Sequence, residues 1–252
     1  MNAICKTSFV TVLFVSTTCK ICFAQFVPSK YEVGVNFGTL VYQGDLALHG
    51  IGNTKYLKPA IGVFVSRSLD EYFSVRANLN VGKIGANDLD YTSPSYKQAR
   101  ALNFKTSITE FSGTIVWNIL GNHFGNDQRR FSPYFFAGAG LAFVNVKRNW
   151  SSFNAAAFGG TESTVAKGLA TDTMHKMPGI IPVLPVGFGV KYMLTPQLSL
   201  NAEFTYRITA TDYLDGFSYV ANPKKNDYYY GLSVGISYKF GTNKLKCPKP
   251  KF

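Results

Sequence analysis

Cysteine is scarce in this 252-residue chain: of four, Cys5, Cys19 and Cys22 crowd near the start and Cys247 stands alone in the tail. Once a leader is removed, no disulfide framework within one chain remains. Histidine is scarcer still, and His49, His123 and His175 fall in three different connections. Their spacing excludes a zinc site. A hydrolytic triad needs a His, a Ser and a carboxylate at one place, and only His49 beside Asp45 starts such a set, with no companion serine marked. No catalytic residue, metal or cofactor is therefore expected. Charged residues make up 16% of the chain, with 14 acids against 26 Lys and Arg for a formal charge of +12. The bases are dispersed, without the clustered stripe of a nucleic-acid module, so lipid headgroups are the better anionic partner. Outside the leader no apolar run approaches the ~20 residues of a membrane-crossing helix. A chain of this kind that crosses a bilayer does so with strands closed into a barrel.

What is present begins with a leader. Residues 1–24 carry Lys6, an apolar run over 9–15 and the small-residue end Cys22-Phe23-Ala24, which reads as a secretory signal peptide cut after Ala24. Residues 25–252 then form one domain with a short basic tail, 241–252.

The strongest pattern is period two. In 198–207, Leu198, Leu200, Ala202, Phe204 and Tyr206 alternate with Ser199, Asn201, Glu203, Thr205 and Arg207. Residues 228–240 repeat it with Tyr228, Tyr230, Leu232, Val234, Ile236, Tyr238 and Phe240 against small and polar residues. Side chains of a strand point to opposite faces, so these segments need apolar medium on one side and polar on the other. Their length matches the ~9–11 residues of a transmembrane strand. Further strands are predicted at 31–39, 59–66, 72–82, 103–118, 132–146 and 185–194. Phe64 is out of phase, 132–146 is almost continuously apolar, and the phase of 103–118 slips near Glu110 and Phe111, which predicts a β-bulge. The fold class is all-β, an eight-stranded antiparallel transmembrane barrel.

Connections alternate between short (69–71, 121–130, 195–197) and long (40–57, 85–102, 147–180, 210–226). Short periplasmic turns and long outer loops are the rule in outer-membrane barrels, so both termini belong in the periplasm. The Ala-, Gly- and Ser-rich 151–168 is expected to be mobile. A barrel of eight strands has an interior that side chains fill. Glu32, Arg76, Glu110, Glu203 and Arg207 face inward and must be paired; the prediction is a plug in which Glu203 and Glu110 neutralise Arg76 and Arg207. Asp45, Asp212 and Asp215, at outer strand ends, are expected to cap turns rather than gather a cation. Arg129 and Arg130 with Lys244, Lys246, Lys249 and Lys251 form a candidate docking strip for an acidic periplasmic partner.

The final strand resembles the signal by which barrel-assembly machinery recognises its clients, with Gly235, Tyr238 and Phe240 at the closing positions. A wider resemblance is carried by Tyr42-Gln43-Gly44-Asp45-Leu46, by Pro59-Ala60-Ile61-Gly62-Val63, by 102–110, by 131–138, by 185–192, by Arg207 and by Thr211-Asp212-Tyr213-Leu214-Asp215. Together these look like the small outer-membrane barrel family of Bacteroidota that includes the PorG-like component of the type IX secretion system. The resemblance implies a non-enzymatic barrel that anchors or scaffolds a secretion apparatus and contacts its periplasmic ring proteins. It also marks Tyr42, Gly44, Asp45, Asp212, Tyr213 and Asp215 as an outer-rim motif. Where the family shows a second acidic residue in the fourth strand, this chain has Val116-Trp117-Asn118. Two rivals remain: an adhesive or structural barrel working through its long loops, and a lipid-modifying enzyme at the rim.

Overall fold

A strand that alternates apolar and polar side chains needs a different medium on each face, and this sheet supplies both by closing on itself. A computed structural model describes residues 31–47, 56–121, 130–223 and 226–240. Its strands are β1 (Tyr31–Gln43), β2 (Lys58–Ser68), β3 (Phe73–Asn87), β4 (Asn103–Asn118), β5 (Phe131–Asn149), β6 (Ile180–Met193), β7 (Leu198–Thr209) and β8 (Tyr228–Lys239). Each pairs antiparallel with the next, and β8 returns to β1 in a register running from Glu32↔Lys239 to Gln43↔Tyr228, so no sheet edge is left open. The leader, all four cysteines, His49 and His123 lie outside the described residues.

The greasy face is the outer one. Val63, Val75, Phe111, Ile115, Phe188 and Val234 are exposed, while Arg76, Glu110, Glu203 and Arg207 are buried inside. A soluble monomer does not carry an unbroken apolar belt of this kind; hydrocarbon covers it. At the end of the short turns the belt finishes in exposed aromatics, Tyr31, Tyr72, Trp117, Phe131, Tyr192 and Tyr238, as expected at a lipid–water boundary.

The β-bulge expected near Glu110 is not there. β4 alternates between exposed and buried from Asn103 to Asn118 without a break, in continuous register with both neighbours. What changes is polarity, not phase: beyond Glu110 the outward residues are Thr109, Ser107 and Lys105 while Ile108 and Phe104 point in. The strand leaves hydrocarbon at that level, and a hydrophobic core begins inside. The same inversion explains why β5 reads as continuously apolar, since Tyr134, Phe136, Ala142 and Val144 face in while Phe135, Leu141 and Phe143 face out. It also explains why the strands run on through 40–43, 85–87, 147–149 and 180–184, residues expected to be loop.

The long connections fold together into a cap over that end. They contain a 3-10 turn (Asp88–Asp90), helix α1 (Tyr96–Arg100), a second 3-10 turn (Ala155–Phe158) and helix α2 (Thr164–Met174). Ser163 caps α2, its Oγ accepting from the Ala166 N–H at 3.2 Å. The stretch 151–168, expected to be mobile, carries a 3-10 turn and the start of α2, and the Asn154 N–H donates to the Ala99 carbonyl at 2.9 Å. A Cβ on Gly168 would collide with the backbone at Tyr219. Leu46, Leu102, Leu169, Leu214, Phe217 and Val220 of the cap share one core with Ile84, Phe104, Ile108 and Val183 of the strands.

Candidate functional site in the lumen and the outer cap

Alternation delivers six acidic and basic side chains into a space too narrow to hydrate them freely, and there they pair. Arg76 Nη1 donates to Glu203 Oε1 at 2.5 Å, and Arg207 Nε to Glu110 Oε2 at 2.5 Å. Glu32 meets Lys191 at 2.7 Å. Around the pairs, the Tyr134 hydroxyl donates to Glu203 at 2.6 Å and the Tyr229 hydroxyl to Glu110 at 3.0 Å. Asn80 and Ser112 also donate to Glu110, at 3.3 and 3.2 Å. Such extra donors satisfy the lone pairs that a buried salt bridge by itself leaves over.

Two residues that broke the sequence pattern belong here. Phe64 and Phe136 face inward and place their rings 5.1 and 4.8 Å from the Arg76 guanidinium, a cation–π clamp on either flank. Phe64 is accommodated because Gly34 has no side chain where its ring lies. Gly235, singled out as part of the assembly signal, leaves room for the Asn201–Asn36 hydrogen bond of 2.7 Å. Tyr238 and Phe240 meet edge-on at 4.9 Å at the turn-side rim. The lumen keeps polar cavities of about 50 Å³ beside Glu110 and Arg207 and about 20 Å³ beside Glu32 and Lys191. At ~30 Å³ per liquid water, these hold isolated waters and not an aqueous column.

The outer-rim motif assembles in the cap. The Tyr42 hydroxyl lies 2.7 Å from Asp215 Oδ2 and 2.6 Å from Asp227 Oδ1. A phenol donates one proton, so the second contact requires a protonated carboxyl that donates to the phenol oxygen. A Cβ on Gly44 would run into the side chains of Tyr42 and Asp227, so glycine there leaves the space in which they meet. Asp45 accepts from the Asn222 N–H at 2.7 Å, Asp215 from Phe217 N–H at 2.8 Å, and Asp227 from Leu214 N–H at 3.1 Å. Only the Asp215 bond is the local turn cap that was expected; Asp45 and Asp227 instead tie distant segments of the cap together. Asp212 differs: both its oxygens are buried without a donor in hydrogen-bond geometry. Burial pushes its pKa up to about 7, with Asp45 and Asp172 adding to the shift and Ser218 opposing it. Burial likewise raises Asp215 to about 8 and Asp227 well above the carboxylate range. Among the described residues no group of His, Cys, Asp and Glu is arranged to hold a metal ion.

Sequence reasoning missed the fasteners of the cap. Asp172 on α2 accepts from the N–H groups of Ser218, Tyr219 and Val220 at 2.9–3.1 Å, and from the Tyr213 hydroxyl at 3.3 Å. Arg100 grips Asp88 with two bonds of 2.6 and 2.9 Å. Lys97 donates to the carbonyls of Leu46 and Ala47, both at 3.0 Å. Arg148 donates to the carbonyls of Asp172 and Gly216, both at 2.7 Å. They sit in the short helices and turns of the long connections or at a strand end, where the strand period of two does not reach. Of the proposed docking strip only Arg130 is described, its carbonyl accepting from Met193 N–H at 2.7 Å; Arg129 and Lys244, Lys246, Lys249 and Lys251 lie outside the described residues.

A family model described as a domain of unknown function, DUF6089, matches residues 7–249. Among curated proteins there is no match. Among solved structures, Neisserial surface protein A aligns at 16% identity over 83% of this chain and 97% of its own, with a TM-score of 0.46. The attachment invasion locus protein Ail of Yersinia pestis aligns at 9% over 84% and 99%, TM-score 0.44. The outer membrane enzyme PagL aligns at 11% over 82% and 97%, TM-score 0.41.

Proposed function

The chain belongs to the DUF6089 family, and from that premise we propose that it is a non-enzymatic outer-membrane barrel that works as a membrane anchor or scaffold through its surfaces. The observation that supports this reading is the double closure of its interior. Ion pairs and aromatics fill the lumen across the belt, and a shared hydrophobic core closes the outer mouth. Among the described residues neither a conduit nor a substrate cleft lies along the barrel axis, and on this reading binding falls to the outside. In planar bilayers the purified protein is expected to give no stable conductance steps; large, long-lived steps would sink the reading.

The finer part of the proposal is the apparatus it anchors. The resemblance of 42–46, 102–110, 131–138, 185–192 and 211–215 to PorG-like barrels points to the periplasmic ring of a type IX-like secretion machine, and the basic tail offers charge for docking. Deleting 244–252 is expected to lower ring capture in pull-downs at least threefold while the barrel stays in the membrane fraction. Unchanged capture would remove the tail from the docking role.

A further inference from the structure

Three lysines on the outside of the barrel stand where a bilayer's charged layer begins. On β3 the last apolar outward residue is Val81 and the next outward residue is Lys83. On β5, Phe143 is followed outward by Asn145 and Lys147; on β4, Phe111 is followed by Thr109, Ser107 and Lys105. The register places Lys105 directly opposite Lys147, and Lys83 opposite Ser107, one pleat from Lys105. All three lysines are exposed. Like charges directly across a strand pair destabilise a sheet, and no acid intervenes. The described acids nearest in the chain are engaged elsewhere: Asp88 by Arg100 and Lys97, Asp90 by the Tyr56 hydroxyl, Glu110 by Arg207 and Glu162 by Lys167.

At ~3.4 Å per residue, Lys83 lies about 7 Å along the strand beyond the belt and Lys147 about 14 Å beyond Phe143. The headgroup layer occupies roughly 5–7 Å on each side of the hydrocarbon, and a lysine stem bridges the remainder. The amides of Asn103, Asn145 and Asn149 and the Ser107 hydroxyl share this face, adding neutral donors between the cations. We propose that this outward extension of β3–β5 binds a lipid headgroup carrying more than one phosphate, in the leaflet beneath the cap. The phosphates sit between Lys105 and Lys147 and against Lys83, and they relieve the repulsion that the register imposes.

The inference rests on the barrel's insertion in a bilayer, so the experiment reads insertion separately. Wild type and K83Q/K105Q/K147Q are placed in phosphatidylcholine nanodiscs containing either a diphosphorylated lipid A or its dephosphorylated form. Heat-dependent mobility on gels reports folding, and native mass spectrometry counts retained lipid. Wild type is expected to retain the diphosphorylated lipid about tenfold more than the triple variant, to lose that preference with the dephosphorylated form, and to release it as salt is raised. A K167Q/K176Q control, altering exposed lysines of the cap, should match wild type. Equal retention by the folded triple variant would overturn the proposal. So would displacement by millimolar inorganic phosphate, which would make the patch a free-anion site. Failure to insert, by contrast, would count against the membrane reading itself.

Discussion

Truncating Glu203 to alanine is expected to destabilise the barrel by about 3–5 kcal/mol, the cost of leaving a buried partner charge uncompensated. Glu203 accepts from Arg76 at 2.5 Å, from Tyr134 at 2.6 Å and from Asn36 at 3.5 Å. Its removal orphans a guanidinium that Phe64 and Phe136 hold in place and that the narrow lumen cannot hydrate fully. The urea midpoint of refolded protein in lipid vesicles measures the loss. Removing both charges in R76M/E203A should recover much of it, because paired burial gains little over a well-packed apolar lumen while a lone charge is expensive. If E203A unfolds within about 1 kcal/mol of wild type, a typical net hydrogen-bond contribution, the lumen is wetter than its small cavities indicate, and the plug is not what holds the barrel.

Raising the pH from 6 to 9 is expected to loosen the cap while the membrane-embedded strands stay intact. Asp212 and Asp215 titrate at about 7 and about 8 in the folded cap, against ~3.9 for an unfolded aspartate. With the folded pKa above the unfolded one, the folded state holds more protons between those values. The resulting stability is complete below about pH 4 and is lost as pH rises through 7 and 8. The charges that then develop face one another, Asp215 and Asp227 across Tyr42 and Asp212 beside Asp45 and Asp172; Arg100 and Arg148 lie close enough to Asp215 to offset part of that repulsion. Arg100 and Lys97 are held by Asp88, and Arg148 by carbonyls. Proteolysis within 210–223 and α2, normalised to cleavage of an unstructured peptide at each pH, should accelerate at least about tenfold, the one pH unit above 6 that Asp212 alone supplies, with Asp215 adding to it. D215N/D227N, which stays neutral, should flatten the response. A wild-type rate that is flat from pH 6 to 9 would show that the carboxyls are not titrating in the closed cap.

Much of the candidate site was readable before any coordinates. Glu32, Arg76, Glu203 and Arg207 sit at alternate positions whose neighbours are apolar, and a strict period of two leaves such residues only the inner face; Glu110 was expected there through a bulge and reaches it without one. What could not be read was who stands beside them. Lys191, Tyr134 and Tyr229 come from strands distant in sequence, and Phe64 and Phe136 looked like faults in the pattern until Arg76 was found between them. Asp215 could be picked out as a turn former, yet Asp227 and Asp172, which hold the cap shut, lie in long connections where the strand period of two gives no signal.

The sequence by itself determined that the chain alternates in eight segments and hence makes a closed barrel, because the facing of a side chain along a strand depends only on its parity. Tertiary structure alone decided where hydrocarbon stops. In β4 and β5 the facing continues while the medium on each side exchanges, water outside and packed loops within, so polarity inverts without a shift in phase. Parity is a local property of the backbone; the medium is set by how high a strand stands and by which distant loops close over it.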